Sequence, residues 1–319
     1  MESISKNKLS ISHINDLTQN AFGRQADTII ENNIGEFSAL YVINLADKEV
    51  VLKIAPKDSV RVLRYEQNVM RAEVDALKLV KDNTGVPVPR VLFYDAAGTY
   101  CDSEYFFMEK IRGVDFNSLL SGLSAGQTGQ IIKRIGRLNR EINEVKSDKF
   151  GYPAQAKRQT GSWKAAFAGM VSDILADGEE AGIKWPVPYH EIENIAASFI
   201  YACDDVTTPR LIHWDLWPGN VLIDNGNITG IIDFERALWA DPLMEYYFRK
   251  HALNRDFIDG YGLDPSLLDK NAKIRLALYD LYLAIICVVE YYYRRYNGVS
   301  QYAWRERQLI GVCKSFDAI

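Results

Sequence analysis

The stretch Leu211-Ile-His213-Trp-Asp215-Leu-Trp217-Pro-Gly-Asn220-Val-Leu-Ile-Asp-Asn225-Gly226-Asn-Ile-Thr-Gly-Ile-Ile-Asp233-Phe-Glu235 decides how the rest of the chain is read. Asn225-Gly226 separates two apolar runs, and both residue types accept positive φ, so the segment predicts a β-hairpin with a two-residue loop. With those residues at the tip, Ile223 faces Ile228, Val221 faces Gly230 and Asn220 faces Ile231. Side chains alternate along a strand, which puts Asp233 on the face of Ile231 and therefore of Asn220. Diagonal neighbours on one face lie about 7–8 Å apart, close enough for two short oxygen-bearing side chains to hold one hard cation. Asp215 precedes Asn220 in a loop entering the same open end of the hairpin. There it is placed to accept a proton from a hydroxyl beside the cation.

His-x-Asp-x-x-x-x-Asn, then a hairpin, then Asp-Phe is the pattern of kinase-type phosphoryl transfer. In that chemistry the loop Asp positions the nucleophile, while the Asn and the strand-end Asp bind Mg²⁺. Lys53 provides a second test. It sits within the apolar run Val50-Val-Leu-Lys53-Ile-Ala55, sharing a face with Val51 and Ala55. An ammonium there either points to solvent or needs an anionic partner, because burying it alone is costly. The kinase solution is a phosphate-contacting lysine paired with a helix glutamate. Glu66 and Glu73 lie on the next helical stretch, and Glu73 is the favoured partner. Upstream, Asn33-Ile-Gly35-Glu-Phe-Ser38 fills the turn where a phosphate-covering loop belongs, with Gly35 as its single glycine.

Composition bounds the reading. The chain has 319 residues, 48% hydrophobic and 25% charged, which is globular and excludes disordered, collagen-like and coiled-coil classes. A net charge of −5 argues against a dedicated nucleic-acid binder. Cys101, Cys203, Cys287 and Cys313 are too scattered for a zinc site and read as thiols of a reducing compartment. The N-terminal residues lack an apolar signal run, and Leu281 to Val289 is too short to span a bilayer, so no membrane partner and a cytoplasmic location are expected.

Patterning gives a leading helix in the first thirty residues and a hairpin over 39–45 and 50–55. A helix with Val69, Ala72, Ala76 and Leu79 inward follows, then strands at 86–94 and 105–108. A long amphipathic helix capped near Ser124 comes next, with further helices at 161–177, 189–203 and 272–296. The expected organisation is a mostly-β nucleotide-binding lobe over 1–108, a junction at 109–113, and a mostly-α catalytic and substrate-binding lobe over 114–319.

In order along the chain, Val-Leu-Lys53-Ile, Glu73, Gly85-Val-Pro-Val-Pro, Phe-Met108-Glu-Lys-Ile-Arg-Gly113, Phe150-Gly-Tyr152, the His213 to Asn220 loop, Ile232-Asp233-Phe-Glu235 and Asp241-Pro242 resemble the aminoglycoside phosphotransferase superfamily, which includes choline kinase and fructosamine kinase relatives. The resemblance implies an α+β, protein-kinase-like bilobal fold. By the same likeness Asp215 is the catalytic base, Asn220 and Asp233 bind Mg²⁺, and Lys53 and Glu73 secure the phosphates of ATP. Gly35 and Ser38 belong to the nucleotide loop, and the backbones of Glu109 and Ile111 hold adenine. Trp214 stands where glycine is common in this superfamily, and the sequence has Asp-Phe-Glu rather than Asp-Phe-Gly. The short interval from Asp233 to Asp241 leaves no room for a protein-kinase activation segment.

These departures point to a small-molecule hydroxyl acceptor. Aromatic side chains can stack on a sugar or cage a quaternary ammonium. Trp214, Trp217 and Glu235 are the expected substrate contacts, since they flank the catalytic loop and the metal Asp. An aminoglycoside or related antibiotic or amino sugar is the leading acceptor. A metabolic kinase for choline, fructosamine or an amino alcohol is the alternative within enzymes, and a nucleotide-binding pseudokinase is the alternative outside them.

Overall fold

The computed structural model describes residues 5–32, 35, 37–263, 265–294 and 299–319. Its N-terminal region is built on helix α1 (Ile11–Phe22) and strands β1 (Thr28–Asn32), β2 (Ala39–Leu45) and β3 (Lys48–Ile54), followed by α2 (Val69–Asn83), β4 (Val91–Asp95) and β5 (Tyr105–Glu109). The strands form one antiparallel sheet in the order β1-β2-β3-β5-β4. Alternation in β2 buries Ala39, Tyr41, Ile43 and Leu45 on one face, where Ile14 and Leu17 of α1 pack with Val50, Leu52 and Phe107. Lys53 and Val51 therefore occupy the opposite face, towards α2. The expected strand over 86–94 begins only at Val91, since Pro87 and Pro89 have no N–H to donate to a ladder.

Beyond the sheet, the chain passes through Glu109-Lys-Ile111-Arg-Gly113 into the helical C-terminal part. Gly113 holds φ at +137°, and a Cβ there would lie 2.9 Å from both the Ile223 carbonyl oxygen and the Thr229 hydroxyl. Only glycine lets the passage lie so close to the hairpin that bears Ile223 and Thr229. The short strand β6 (Val114–Asp115) and helix α3 (Phe116–Leu119) lead to α4 (Ala125–Asn143). Ser124 and Gln127 form a capping box at its start. Helices α5 (Trp163–Glu180) and α6 (Tyr189–Phe199) follow. A β insertion then comprises β7 (Arg210–Ile212), β8 (Val221–Asp224), β9 (Asn227–Ile231) and β10 (Leu238–Ala240). Helices α7 (Arg255–Tyr261), α8 (Lys270–Tyr293) and α9 (Val299–Ser315) complete the chain. A large apolar core gathers α2, α4, α5 and α8 around the β insertion. No helix among the described residues is long and apolar enough to cross a membrane.

Candidate active site

The hairpin forms with Asn225-Gly226 at its tip, both at positive φ, and Ile223 opposite Ile228. The expected register holds only that far. Thr229 is an extra residue on β9, so Leu222 pairs with Gly230 and Val221 with Ile231. The Thr229 hydroxyl donates 2.6 Å to the Arg112 carbonyl, with the Leu222 carbonyl also 3.2 Å away, giving the bulge its own partner. The shift moves Asn220 opposite Ile232, whose N–H donates 3.0 Å to the Asn220 carbonyl. At the next residue the chain turns away from the hairpin, because Asp233 adopts φ +67°, ψ 61°.

That turn carries Asp233 to Lys53. The Lys53 ammonium, 4% exposed, lies 2.7 Å from Glu73 Oε2, 2.8 Å from Asp233 Oδ1 and 3.1 Å from Glu235 Oε2. Glu73 of α2 is 1% exposed, and its other oxygen is buried with no hydrogen-bond partner among the described residues. Burial pushes Glu73 up to about 8 against the pull of Lys53. Burial also acts on Asp233, but the Lys53 ammonium prevails and holds that carboxyl below its ordinary value. Glu235 is raised, chiefly by burial. Glu66, the other helix candidate, turns away to pair with Arg294 of the segment after α8 and accepts the Leu63 N–H at 2.9 Å.

Glu73, Asp233 and Glu235 each offer an oxygen within 4.8 Å of the others. Three converging carboxylates, one with an unpartnered oxygen, are a hard-oxygen donor set that fits Mg²⁺. Asn220 donates from Nδ2 to the Asp215 carbonyl at 2.9 Å, tying the hairpin to the loop that carries Asp215.

The loop itself hangs on one buried carboxylate that sequence reasoning missed. Glu245 is fully buried. Its Oε1 accepts from Asn139 Nδ2 at 2.7 Å, Asn143 Nδ2 at 2.9 Å and the His213 N–H at 2.9 Å, while Oε2 accepts the Trp214 N–H at 2.9 Å. Such donors satisfy a charge that would otherwise be prohibitive to bury. His213 Nδ1 accepts the Asp215 N–H at 3.3 Å, so Nε2 carries the proton and donates 3.0 Å to the Ile232 carbonyl. The imidazole thus links the loop to the strand that bears Asp233. Burial raises the pKa of Asp215, opposed most strongly by Arg236, with Asp233 adding to the rise and Arg249 opposing it. A carboxylate in this setting is a stronger base than one in water.

Trp214 is corrected here from a substrate contact to a packing residue. It is 1% exposed, stacked on Tyr282 at 5.7 Å and edge-on to Tyr65 at 6.4 Å, and so offers no open surface to a ligand. Trp217 is 38% exposed and lies beside Gly219, where a Cβ would come within 2.2 Å of the indole. Glu235 belongs with Lys53 and the acidic cluster. Gly35 has φ +91°, and the Ser38 hydroxyl is buried without a partner among the described residues; Asn33, Ile34 and Glu36 of that expected loop lie outside them. Glu109 ends β5 and donates its N–H 3.0 Å to the Arg90 carbonyl, while Ile111 packs against Gly230 of β9.

The chain is similar in sequence and in fold to known proteins. The family model described as "Phosphotransferase enzyme family" matches residues 30–250. A probable ketoamine kinase of Enterococcus faecium is 24% identical over 267 residues, covering 78% of this chain and 84% of that protein. Ankyrin repeat and protein kinase domain-containing protein 1 of Mus musculus is 28% identical over 132 residues, but the match spans only 17% of its length. Among solved structures, a Haemophilus somnus protein assigned as a fructosamine-3-kinase superposes with a TM-score of 0.67 at 18% identity, covering 94% of this chain and 96% of that one. A thermostable mutant of aminoglycoside phosphotransferase APH(4)-Ia, in ternary complex with AMP-PNP and hygromycin B, gives 0.69 at 15% identity, covering 95% and 98%. The fold is therefore the protein-kinase-like fold of these enzymes.

Proposed function

The chain belongs to the phosphotransferase enzyme family, and on that premise we propose that it transfers the γ-phosphoryl group of ATP to a hydroxyl of a small, sugar-like molecule. The observation that carries the reading is the Lys53 ammonium, 2.7 Å from Glu73 and 2.8 Å from Asp233, with a base-like Asp215 near enough to feel the Asp233 charge. Asp215 orients the acceptor hydroxyl and takes its proton as the new O–P bond forms and the bond to ADP breaks. Lys53, steadied by Glu73, meets the phosphate oxygens, and Gly35 and Ser38 cover them. The backbones of Glu109 and Ile111 hold the adenine edge, with 109–113 as the hinge between a nucleotide lobe over 1–108 and a catalytic lobe over 114–319. Asp233 and Asn220, with Glu235 beside them, would hold Mg²⁺, which supplies positive charge against the phosphates when bound. Catalysis of this kind is positioning and electrostatics.

The acceptor class follows the relatives: an amino sugar of the aminoglycoside type, or a ketoamine. The test is a coupled ADP-release assay with MgATP against aminoglycosides, ketoamines, choline and amino alcohols. Acceptor-dependent ADP release with a phosphorylated product in the mass spectrum supports the proposal. Nucleotide binding without transfer to any acceptor would favour a pseudokinase instead.

A further inference from the structure

Among the described residues two arginines are less than a tenth exposed, and only one of them is matched to a carboxylate. Arg294, 8% exposed, pairs with Glu66. Three half-buried arginines are paired as well: Arg236 lies 2.6 Å from Glu290, Arg275 lies 2.8 Å from Asp241, and Arg64 pairs with Asp177 and Glu180. Arg249 is 7% exposed, and among the described residues no carboxylate oxygen lies within 4.0 Å of it. The Arg249 guanidinium lies between the rings of Trp214 and Tyr246, at 5.9 and 5.6 Å, and its Nη2 donates to the Trp214 carbonyl.

A guanidinium withdrawn from water without a counter-ion is costly, and burial accordingly pulls Arg249 below the usual arginine range. The acids around it are committed elsewhere. Glu245 spends both oxygens on four donors. Asp280 accepts the backbone N–H of Lys250 and is raised by burial. Asp215, whose charge Arg249 feels, is the base. The remaining guanidinium nitrogens are not among the sealed, unpartnered polar atoms of the described chain. They are left for something that enters beside Asp215.

We propose that the acceptor carries an anionic group, a carboxylate or a phosphate ester, which Arg249 pairs with while the neighbouring hydroxyl meets Asp215. The assignment rests on the phosphotransferase reading above and narrows it. A planar guanidinium matches either anion through two parallel N–H donors. A polycationic acceptor would instead bring amines against Arg249 and Arg236. A polyol joined to an acid, as in a ketoamine formed on an amino acid, meets both requirements.

The experiment is titration calorimetry on the full chain with MgADP present, using gluconate, its neutral relative gluconamide, sorbitol 6-phosphate and kanamycin as probes. At least one anion should bind at least about tenfold more tightly than gluconamide. That advantage should disappear in Arg249→Gln and return in part in Arg249→Lys. The tighter of the two anions tells carboxylate from phosphate. Equal binding of gluconate, sorbitol 6-phosphate and gluconamide, binding of no anion, or a preference for kanamycin would overturn the proposal. If Arg249→Gln does not fold, discrimination by the wild-type chain, and its weakening with added salt, decides alone. Failure to bind MgADP is read separately and counts against the phosphotransferase reading itself.

Discussion

Trp214 holds φ at +63°, a conformation that costs a residue with a Cβ about 1–2 kcal/mol. It stays there because the indole is sealed between Tyr282 and Tyr65, with Arg236 and Arg249 over its ring. Truncating a buried aromatic costs about 3–5 kcal/mol, so packing outweighs the backbone strain. Trp214→Gly is therefore expected to lower stability by about 1–4 kcal/mol in denaturant unfolding, although glycine suits the backbone better. No net loss would mean that the stack contributes little. Sequence alone distinguishes poorly between an aromatic that faces a ligand and one that faces the core, which is why Trp214 read as a substrate contact.

Glu73 makes a pH prediction at the same scale. Its carboxyl is raised from 4.5 to about 8 in the folded chain. Between those values the folded state holds a proton that the unfolded chain has released, so this group's contribution to stability falls as pH rises. Glu73→Gln should flatten the decline of the thermal midpoint from pH 5 to pH 8.5 while weakening MgATP binding. Parallel wild-type and variant curves would contradict the assignment. Lys53 and Glu73 were legible because a lysine inside an apolar strand demands a partner. Arg249 was not legible, since nothing in Tyr-Phe-Arg-Lys tells a buried arginine from a surface one.

At the scale of the element, the loop that carries Asp215 is fixed from beneath by Glu245 and from the side by His213. Glu245→Gln can keep its oxygen towards Asn139, Asn143 and the His213 N–H only by turning its NH₂ onto the Trp214 N–H. The resulting opposed donors should displace the loop. Turnover is expected to fall on the order of 10²-fold with MgATP affinity little changed, as measured by steady-state kinetics beside calorimetry. A variant with normal turnover would show that the loop holds itself. The hairpin was legible from Asn225-Gly226, but the Thr229 bulge was not. An extra residue in a strand has no pattern of its own, and its cause here is a hydroxyl bonded to Arg112, far away in sequence. Asp233 still reaches Lys53 because its left-handed turn, and not strand parity, aims it.

Across the whole molecule, α4 and α7 cross so closely that a Cβ on Gly136 would lie 2.3 Å from the Phe257 carbonyl oxygen, and one on Gly260 1.9 Å from that of Lys133. The same pair carries Asn139 and Asn143 to Glu245, with Tyr261 donating 2.8 Å to Asn143. Gly136→Ala should thus cost about 1–3 kcal/mol of stability and also reduce turnover, although it lies away from the cleft. Four strands of the sheet, the helical part and their order could be read from periodicity, whereas the edge strand β1, mostly exposed, could not. Helices α7 and α9 could not, because one is short and the other carries polar residues on most sides.

The central claim is that Asp215 serves as the base of a phosphoryl transfer whose nucleotide site is built independently by Lys53, Glu73 and Asp233. Its most direct test is Asp215→Asn assayed beside the wild-type chain for acceptor-dependent ADP release, with MgATP affinity measured on both. The account predicts turnover lower by on the order of 10³-fold or more, with MgATP affinity within about twofold. Turnover like that of the wild type in the Asn variant would contradict it.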